Sequence, residues 1–420
     1  MNVSGRYVTA AVLLFLFLPA SISRGEEAVS LEVKGYVSGY AASGNRKLDD
    51  ERDIAGSNTG MQMRLRMPGE LSLFADARYF SGIHAPEGRL REVYLNWIAG
   101  DLTLRAGQQI IIWGRADRFN PTDVITPRDY RVLSFDDDAQ RFGVVGAEVT
   151  YRLSGEYTVS AHALPFFQTS RIPTGMLPAG TRWNPEHEHS SGDNVQWGVK
   201  LDDSSAWLDW SVSSFKGFSS LPELVLKNGA ELVLENRAMR MIGVDFAASP
   251  GSWGIRGEAS YIALERENDM PDLLPHSYFY SVLGVERNLA ETTTLNVQWL
   301  RRQIFGFTDP RTVPGPLGQI AMGNAQIHNQ FDKIQTGISI SIRARGLHDA
   351  LQAELSGVSF FVHHDYLIRP QLQYALNDHW SLLMMADIYH GPDDSFLGSL
   401  RKNSLAYAEL RYQFGPFLFL

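Results

Sequence analysis

No cysteine occurs among the 420 residues. Disulfides, thiolate nucleophiles, zinc–thiolate centres and iron–sulfur clusters are excluded at once. A chain without thiols also escapes mispairing in an oxidising compartment. Positive charge is in deficit: 38 Lys and Arg face 47 Asp and Glu, a formal net charge of -9. No nucleic-acid partner is expected, because phosphate binding needs a concentrated basic surface. The G-x-S-x-G nucleophile elbow and the H-E-x-x-H zinc helix are both missing. Nothing in the residue pattern calls for a cofactor. Past the N-terminus no apolar run approaches the roughly 20 residues that a spanning helix needs.

What is present begins with an export address. Arg6 precedes the apolar run Val8–Leu18, and Pro19 and the small residues of PASISRG follow. The run is too short to span a bilayer and fits a cleaved signal peptide over residues 1–24, with cleavage after Ser23 or Gly25. Residues 25–420 then form one domain. With no apolar helix available, a membrane-embedded mature chain must be a closed barrel.

From Leu31 onward the period is two. Met61, Met63, Leu65 and Met67 alternate with Gln62, Arg64 and Arg66. Val195, Trp197, Val199 and Leu201 alternate with Gln196, Gly198 and Lys200. Leu102, Leu104 and Ala106 alternate with Thr103, Arg105 and Gly107, and Ile334–Ile342 with Gln335, Gly337, Ser339 and Ser341. A soluble sandwich alternates too. Three features favour lipid. Apolar faces end in aromatics, as at Leu95–Trp97 and Val297–Trp299. Many strands reach the 9–11 residues of a tilted membrane strand. Short and long connections alternate. The short ones include 68–70, 99–101, 154–156, 202–205, 248–252, 288–292, 345–349 and 376–379. The long ones include 42–58, 81–88, 114–140, 166–192, 217–237, 264–276, 303–329 and 390–402. Mean hydropathy is only -0.17, as expected when every second strand residue meets lipid. The expectation is an all-β, antiparallel transmembrane barrel of about eighteen strands, with about sixteen as the alternative, short periplasmic turns and long outer loops. The C-terminal strand ends Ala408-Glu409-Leu410-Arg411-Tyr412-Gln413-Phe414, then Gly-Pro-Phe-Leu-Phe-Leu. Either Phe414 or Phe419 serves as the aromatic signal for the barrel assembly machinery.

Segment 107–131, GQQIIIWGRADRFNPTDVITPRDYR, is the densest functional candidate. Arg115, Asp117, Arg118, Asp123, Arg128 and Asp129 interleave opposite charges between two stiffening prolines. Folded into a lumen they would pair and build a constriction with a focused field. Alternatively, they pin the loop to the wall. Parity places Arg64, Arg66, Asp76, Arg78, Glu92, Arg105, Arg369 and Arg411 on inward faces, with Phe74, Phe80 and Tyr94. These charges form either a positive wall over strands two to five or a neutral network. The pairs His187/His189 and His363/His364 with Asp365 are weaker candidates, for a divalent ion or a lipid phosphate; exposed loop tips explain them more simply. Met384 and Met385 fall on opposite strand faces, against a soft-metal site.

The stretch GQQIIIWGRADRFNPTDVITPRDY resembles a motif in a family of proteobacterial outer-membrane barrels related in architecture to porins and alginate-export barrels. The resemblance implies that Trp113, Gly114, Asp117, Asn120, Pro121 and Asp123 form a fixed feature. It also implies passage of small molecules, hydrophobic ones among them, in some cases beside an inner-membrane exporter. Gln108 departs from the Arg expected there. A barrel of this size leaves a channel unless plugged, so the expected role is a pore or conduit in contact with outer-membrane lipid and lipopolysaccharide. A barrel enzyme acting on lipid or peptide, and a surface receptor or adhesin, are the alternatives.

Overall fold

The computed structural model describes residues 29–48, 51–82, 86–173, 177–178, 180–183, 194–205, 207–228, 231–265, 273 and 275–419. The signal peptide and the His187–His189 pair lie outside them. Eighteen antiparallel strands pair in one sheet. The first, Ser30–Leu48, pairs with the second, Glu51–Met67, and also with the last, Leu405–Phe419. The sheet therefore closes on itself and keeps no free edge, the only form in which strands can span lipid. The expected strand number and class hold.

One expected loop does not exist. Residues 42–48 and 51–58 continue the first two strands, with a register break after Ser43 and pairing again at Leu48↔Glu51. Over Ala41–Gly44 the first strand is held from its other side as well, by Leu405–Ala408 of the last strand. The last strand runs through Gly415-Pro416 to Phe419, which pairs with Leu31.

Period-two alternation sorts the wall as expected. Val199, Val212, Ile242, Val244, Leu283, Ile340 and Leu355 face outward and are 43–62% exposed. Their neighbours Ser211, Ser213, Asp245, Ser260, Gln298 and Ser339 are buried in the interior. Trp97, Tyr151, Tyr157, Trp253, Trp380 and Tyr412 ring the wall near the short turns, and Tyr79, Trp197, Tyr261, Phe279 and Phe305 lie toward the long loops. Two aromatic belts around an apolar band are the lipid-facing signature of such barrels.

Pairing slips at several places, and the slip between the third strand, Leu71–Phe80, and the fourth, Glu87–Ala99, bears on the lumen. Asp76 pairs with Glu92, but Ala77 pairs with Leu90, so one extra residue is inserted. This bulge turns Arg91 inward and resets parity, so Arg89 also faces the lumen.

At the long-loop end, the chain folds back over the opening. The hairpin Glu223–Lys227 and Glu231–Glu235, with Arg182–Trp183 beside it, packs against helix Gly315–His328. Leu224, Leu234, Leu273, Ile320 and Ala321 form its core. Asn324 ties it together: its amide donates to the carbonyls of Leu224 and Leu273, and its oxygen accepts from Leu224 N.

Candidate functional site

The fifth strand, Leu102–Gln109, ends well before the sixth, Val144–Arg152, begins. The chain between them turns into the barrel instead of outward. Apolar side chains on it fill three interior clusters. Ile111, Trp113 and Ile125 pack with Leu164, Phe215, Met239, Met241 and Ile262. Ala116 and Phe119 meet Val282, Leu300, Val358 and Phe360. Leu133 and Phe135 meet Tyr40, Ile54, Met385 and Tyr407. Those partners lie on strands all around the barrel, so the loop crosses the whole lumen.

Polar contacts fix each crossing. Arg115 binds Asp245 and, at 3.1 Å, Asp202. Burial opposes its charge, yet the two carboxylates raise its pKa above the ordinary value. Asp117 accepts from Arg256 at 2.6 Å and from Asn296 at 2.8 Å. Arg118, at a φ of 64°, donates to Ser356 at 2.7 Å and pairs with Glu354. Asp123 lies buried between Arg141 (2.6 Å) and Arg128 (3.4 Å). Burial alone would raise the Asp129 carboxyl, but Arg131 and Arg89, at 2.8 and 2.7 Å, hold it down to about 2.

The centre of the loop wraps one wall carboxylate. Glu258, on strand Trp253–Leu264, accepts from the backbone N–H of Arg115 (3.2 Å), Ala116 (3.1 Å) and Thr122 (2.6 Å), and from Thr122 Oγ1 (2.8 Å). Gly114 makes the approach feasible: its φ is 94°, and an added Cβ would sit 2.4 Å from Glu258 Oε2. Ser260 Oγ donates to Pro121 O at 2.8 Å, and the Asn120 carbonyl accepts from Asp123 N. Trp113, 3% exposed, lies edge-on to Phe215 and beside His162. Trp113, Gly114, Asn120 and Pro121 are thus packing and backbone elements of the turn, while Asp117 and Arg118 keep partly exposed side chains, 44% and 32%.

The wall residues at inward parity make the following contacts. Asp76 takes Arg78 at 2.7 Å, Gln62 at 2.9 Å and Arg91 at 3.3 Å. Glu92 accepts from Ile110 N, at the root of the loop. Arg105 pairs with Glu148, Arg66 with Glu32, Arg369 with Asp387 and Arg411 with Glu409. Arg64 makes no carboxylate contact among the described residues and lies over Phe74, which in turn meets Tyr94. Apart from Arg64, the arrangement is a paired network. His363 does not form a metal centre with His364 and Asp365. It binds Asp332 at 3.0 Å beside Arg311, while Asp365 accepts from Leu397 N. Among the described residues no cluster of three metal-ligating side chains occurs. Met384 faces outward and Met385 inward, as expected.

Several residues that hold the loop escaped the sequence reading. Arg89 and Arg91 were hidden by the bulge. Glu258, Asp202, Asp245 and Glu354 sit at inward parity, but nothing in their local sequence points to a loop more than 80 positions away.

A closed eighteen-stranded barrel with an apolar outer wall, two aromatic belts and an in-folded loop defines the class: the chain is a bacterial outer-membrane β-barrel. Among solved structures it is similar to Acinetobacter baumannii OccAB1, with a TM-score of 0.56 and 10% identity over 93% of this chain and 97% of that one. Pseudomonas aeruginosa OccK1 (OpdK) gives 0.55 and 8% identity, covering 93% and 99%. Pseudomonas aeruginosa OccK11 (OpdR) gives 0.53 and 10%, covering 93% and 96%. At such identities the likeness concerns the fold. No protein-family model and no curated protein matches the chain.

Proposed function

We propose that the protein is a pore for small water-soluble solutes, with the loop between Gln109 and Val144 as its constriction. The observation that carries this reading is the loop's course: it reaches opposite walls and leaves half-exposed charges, Asp117, Arg118, Arg256 and Glu286, around the remaining space. Fixed charges at a narrowing act on a solute through a low-dielectric wall and so select by charge and size. Hydrophobic solutes fit less well, because the aromatic pair Phe74–Tyr94 is flanked by the guanidinium groups of Arg64 and Arg105. The family resemblance of segment 107–131 adds an inner-membrane exporter as a partner to be sought at the short-turn end. An enzyme reading has less support: His328, His363 and His379 each bind a backbone carbonyl or a carboxylate, with no nucleophile in those contacts.

The test is single-channel recording in a planar bilayer, wild type beside Asp117→Asn/Arg118→Gln. Both side chains are partly solvated, so the barrel should fold normally. Discrete steps with altered ion selectivity are expected. A folded, heat-modifiable barrel that passes no current would overturn the open-pore reading, and unchanged selectivity would remove these two residues from it.

A further inference from the structure

Toward the long-loop end, Lys216, Arg240 and Arg301 point outward from the wall. Lys216 is exposed between buried Phe215 and Gly217, and Arg240 between buried Met239 and Met241. Arg301 lies between Leu300, 1% exposed, and Arg302, whose guanidinium reaches inward to the carbonyls of His328 and Asn329. Alternation therefore turns Arg301 outward.

Their heights agree. Each is nine residues along its strand from the nearest short turn: 205–207 for Lys216, 249–252 for Arg240 and 291–292 for Arg301. For strands tilted about 40° that is roughly 23 Å along the membrane normal. The apolar band of such barrels is about 25 Å tall. All three therefore sit at the far edge of the band, on the long-loop side. Ile242 and Tyr261 lie just inside them, and Phe279 and Phe305 complete an aromatic frame. On other strands the outward positions at the same spacing, Thr59, Ile338, Ser359 and Ile388, carry no charge. The basic patch belongs to one side of the barrel.

Among the described residues the patch is under-neutralised. Lys216 and Arg240 are directly opposed across neighbouring strands, and like charges so placed repel unless an anion lies between them. Among the described carboxylates Arg240 reaches Glu265 alone, at 3.2 Å, with both side chains more than half exposed. Neither Lys216 nor Arg301 makes a carboxylate contact among the described residues. Arg301 stands three strands from Arg240 and four residues along from its register position, so the two backbones are about 20 Å apart and the long side chains must close the gap.

We propose that Lys216, Arg240 and Arg301 form a docking site for the phosphates of an outer-leaflet glycolipid, a phosphorylated acyl-disaccharide of the lipid A type. Its acyl chains would lie along Ile242, Val244 and Leu283 below, and its two separated phosphates would meet the Lys216–Arg240 pair and Arg301. This rests on the outer-membrane placement of the long-loop end and is independent of whether the lumen conducts.

The experiment is native mass spectrometry of the refolded chain in detergent, titrated with bis-phosphorylated lipid A and with the same lipid after phosphatase treatment. Lysine or arginine near an anionic lipid surface contributes enough that losing all three should weaken binding on the order of a hundredfold. The expected result is retention of phosphorylated lipid A by the wild type, weak retention of the dephosphorylated lipid, and loss of the difference in Lys216→Gln/Arg240→Gln/Arg301→Gln. Equal binding of both lipids by the wild type would overturn the proposal, and that arm needs no variant. A folded triple variant that still prefers the phosphorylated form would overturn it as well. Bilayer currents from the same samples separate the two readings: preserved steps with lost lipid preference support the site, and absent steps with lipid preference intact count against the pore alone.

Discussion

If the loop is the constriction, the carboxylate of Glu258 is its main fastener, and removing it should change the pore without unfolding the barrel. Four hydrogen bonds from the loop end on that side chain. At about 1–1.5 kcal/mol each, they contribute about 4–6 kcal/mol to holding residues 114–122 in place. In Glu258→Ala three backbone N–H groups and one hydroxyl lose their acceptor inside the wall. Water can enter the space vacated, which recovers part of the loss. A net weakening of about 3 kcal/mol would raise the released population of the turn roughly a hundredfold. Glu258→Gln is the sharper variant. It keeps the shape, but one oxygen becomes an NH2 that faces donors: N–H groups of Arg115 and Ala116 on one side, Thr122 on the other.

Single-channel records should show noisier open levels or added substates for both variants, and limited proteolysis should cut between residues 114 and 122 sooner than in the wild type. The barrel itself should keep its heat-modifiable mobility, because strand Trp253–Leu264 stays paired on both sides. Gly114→Ala should resemble Glu258→Ala, since a Cβ there collides with the same carboxylate and sits at an unfavourable φ. Wild-type current levels, noise and protease resistance in Glu258→Gln would refute the reasoning: the loop would then be held by its apolar clusters alone.

Two further predictions follow from burial. Asp123→Asn leaves Arg141, 5% exposed, without its 2.6 Å partner, and breaking a buried pair typically costs about 3–5 kcal/mol; a clear fall in the midpoint of thermal unfolding in detergent is expected, and no change would show that Asp138 suffices for Arg141. The second concerns the cap over the long-loop end. Burial, with Arg302 and Arg237 nearby, lowers the pKa of His328 from 6.5 to about 4. The fold therefore favours the neutral ring, and its stabilising effect is complete above pH 6.5 and declines as pH falls toward 4. At pH 5 the loss is about 2 kcal/mol. Amide exchange in helix Gly315–His328 should accelerate between pH 7 and pH 5 beyond the intrinsic rate change, and His328→Gln should abolish the excess.

The barrel could be read from the chain because lipid imposes a rule on every second residue. Val199, Ile242 and Ile340 face lipid for the reason that Lys200, Asp245 and Ser339 cannot. The rule fails where the backbone breaks step. Parity counted back from Glu92 would turn Arg91 and Arg89 to lipid, but the bulge brings both into the lumen. Segment 42–58 looked like a loop because its glycines, serines and asparagines are turn formers, yet a hairpin with a register break after Ser43 uses them. Local composition cannot tell a small-residue strand from a turn when the partner strand has the same composition.

The site was half legible for a related reason. Segment 107–131 could be singled out, but its charges do not share one role. Asp123 and Asp129 are buried with their arginines and fasten the loop, whereas Asp117 and Arg118 remain partly in solvent. What separates them is distance to walls contributed by strands far along the chain, and Glu258 decides that distance. A carboxylate surrounded by backbone N–H groups puts the ligand on the wall and the binding turn on the loop, the reverse of the usual anion nest. It also accounts for Gly114 and Pro121 in the motif: one lets the backbone approach Glu258, and the other presents its carbonyl to Ser260 on the same strand. The motif is therefore best understood as one half of a clamp whose other half is Glu258 and Ser260. A substitution in either half should move the position of Asp117 and Arg118 and so, on the proposed function, the selectivity, without touching either charge.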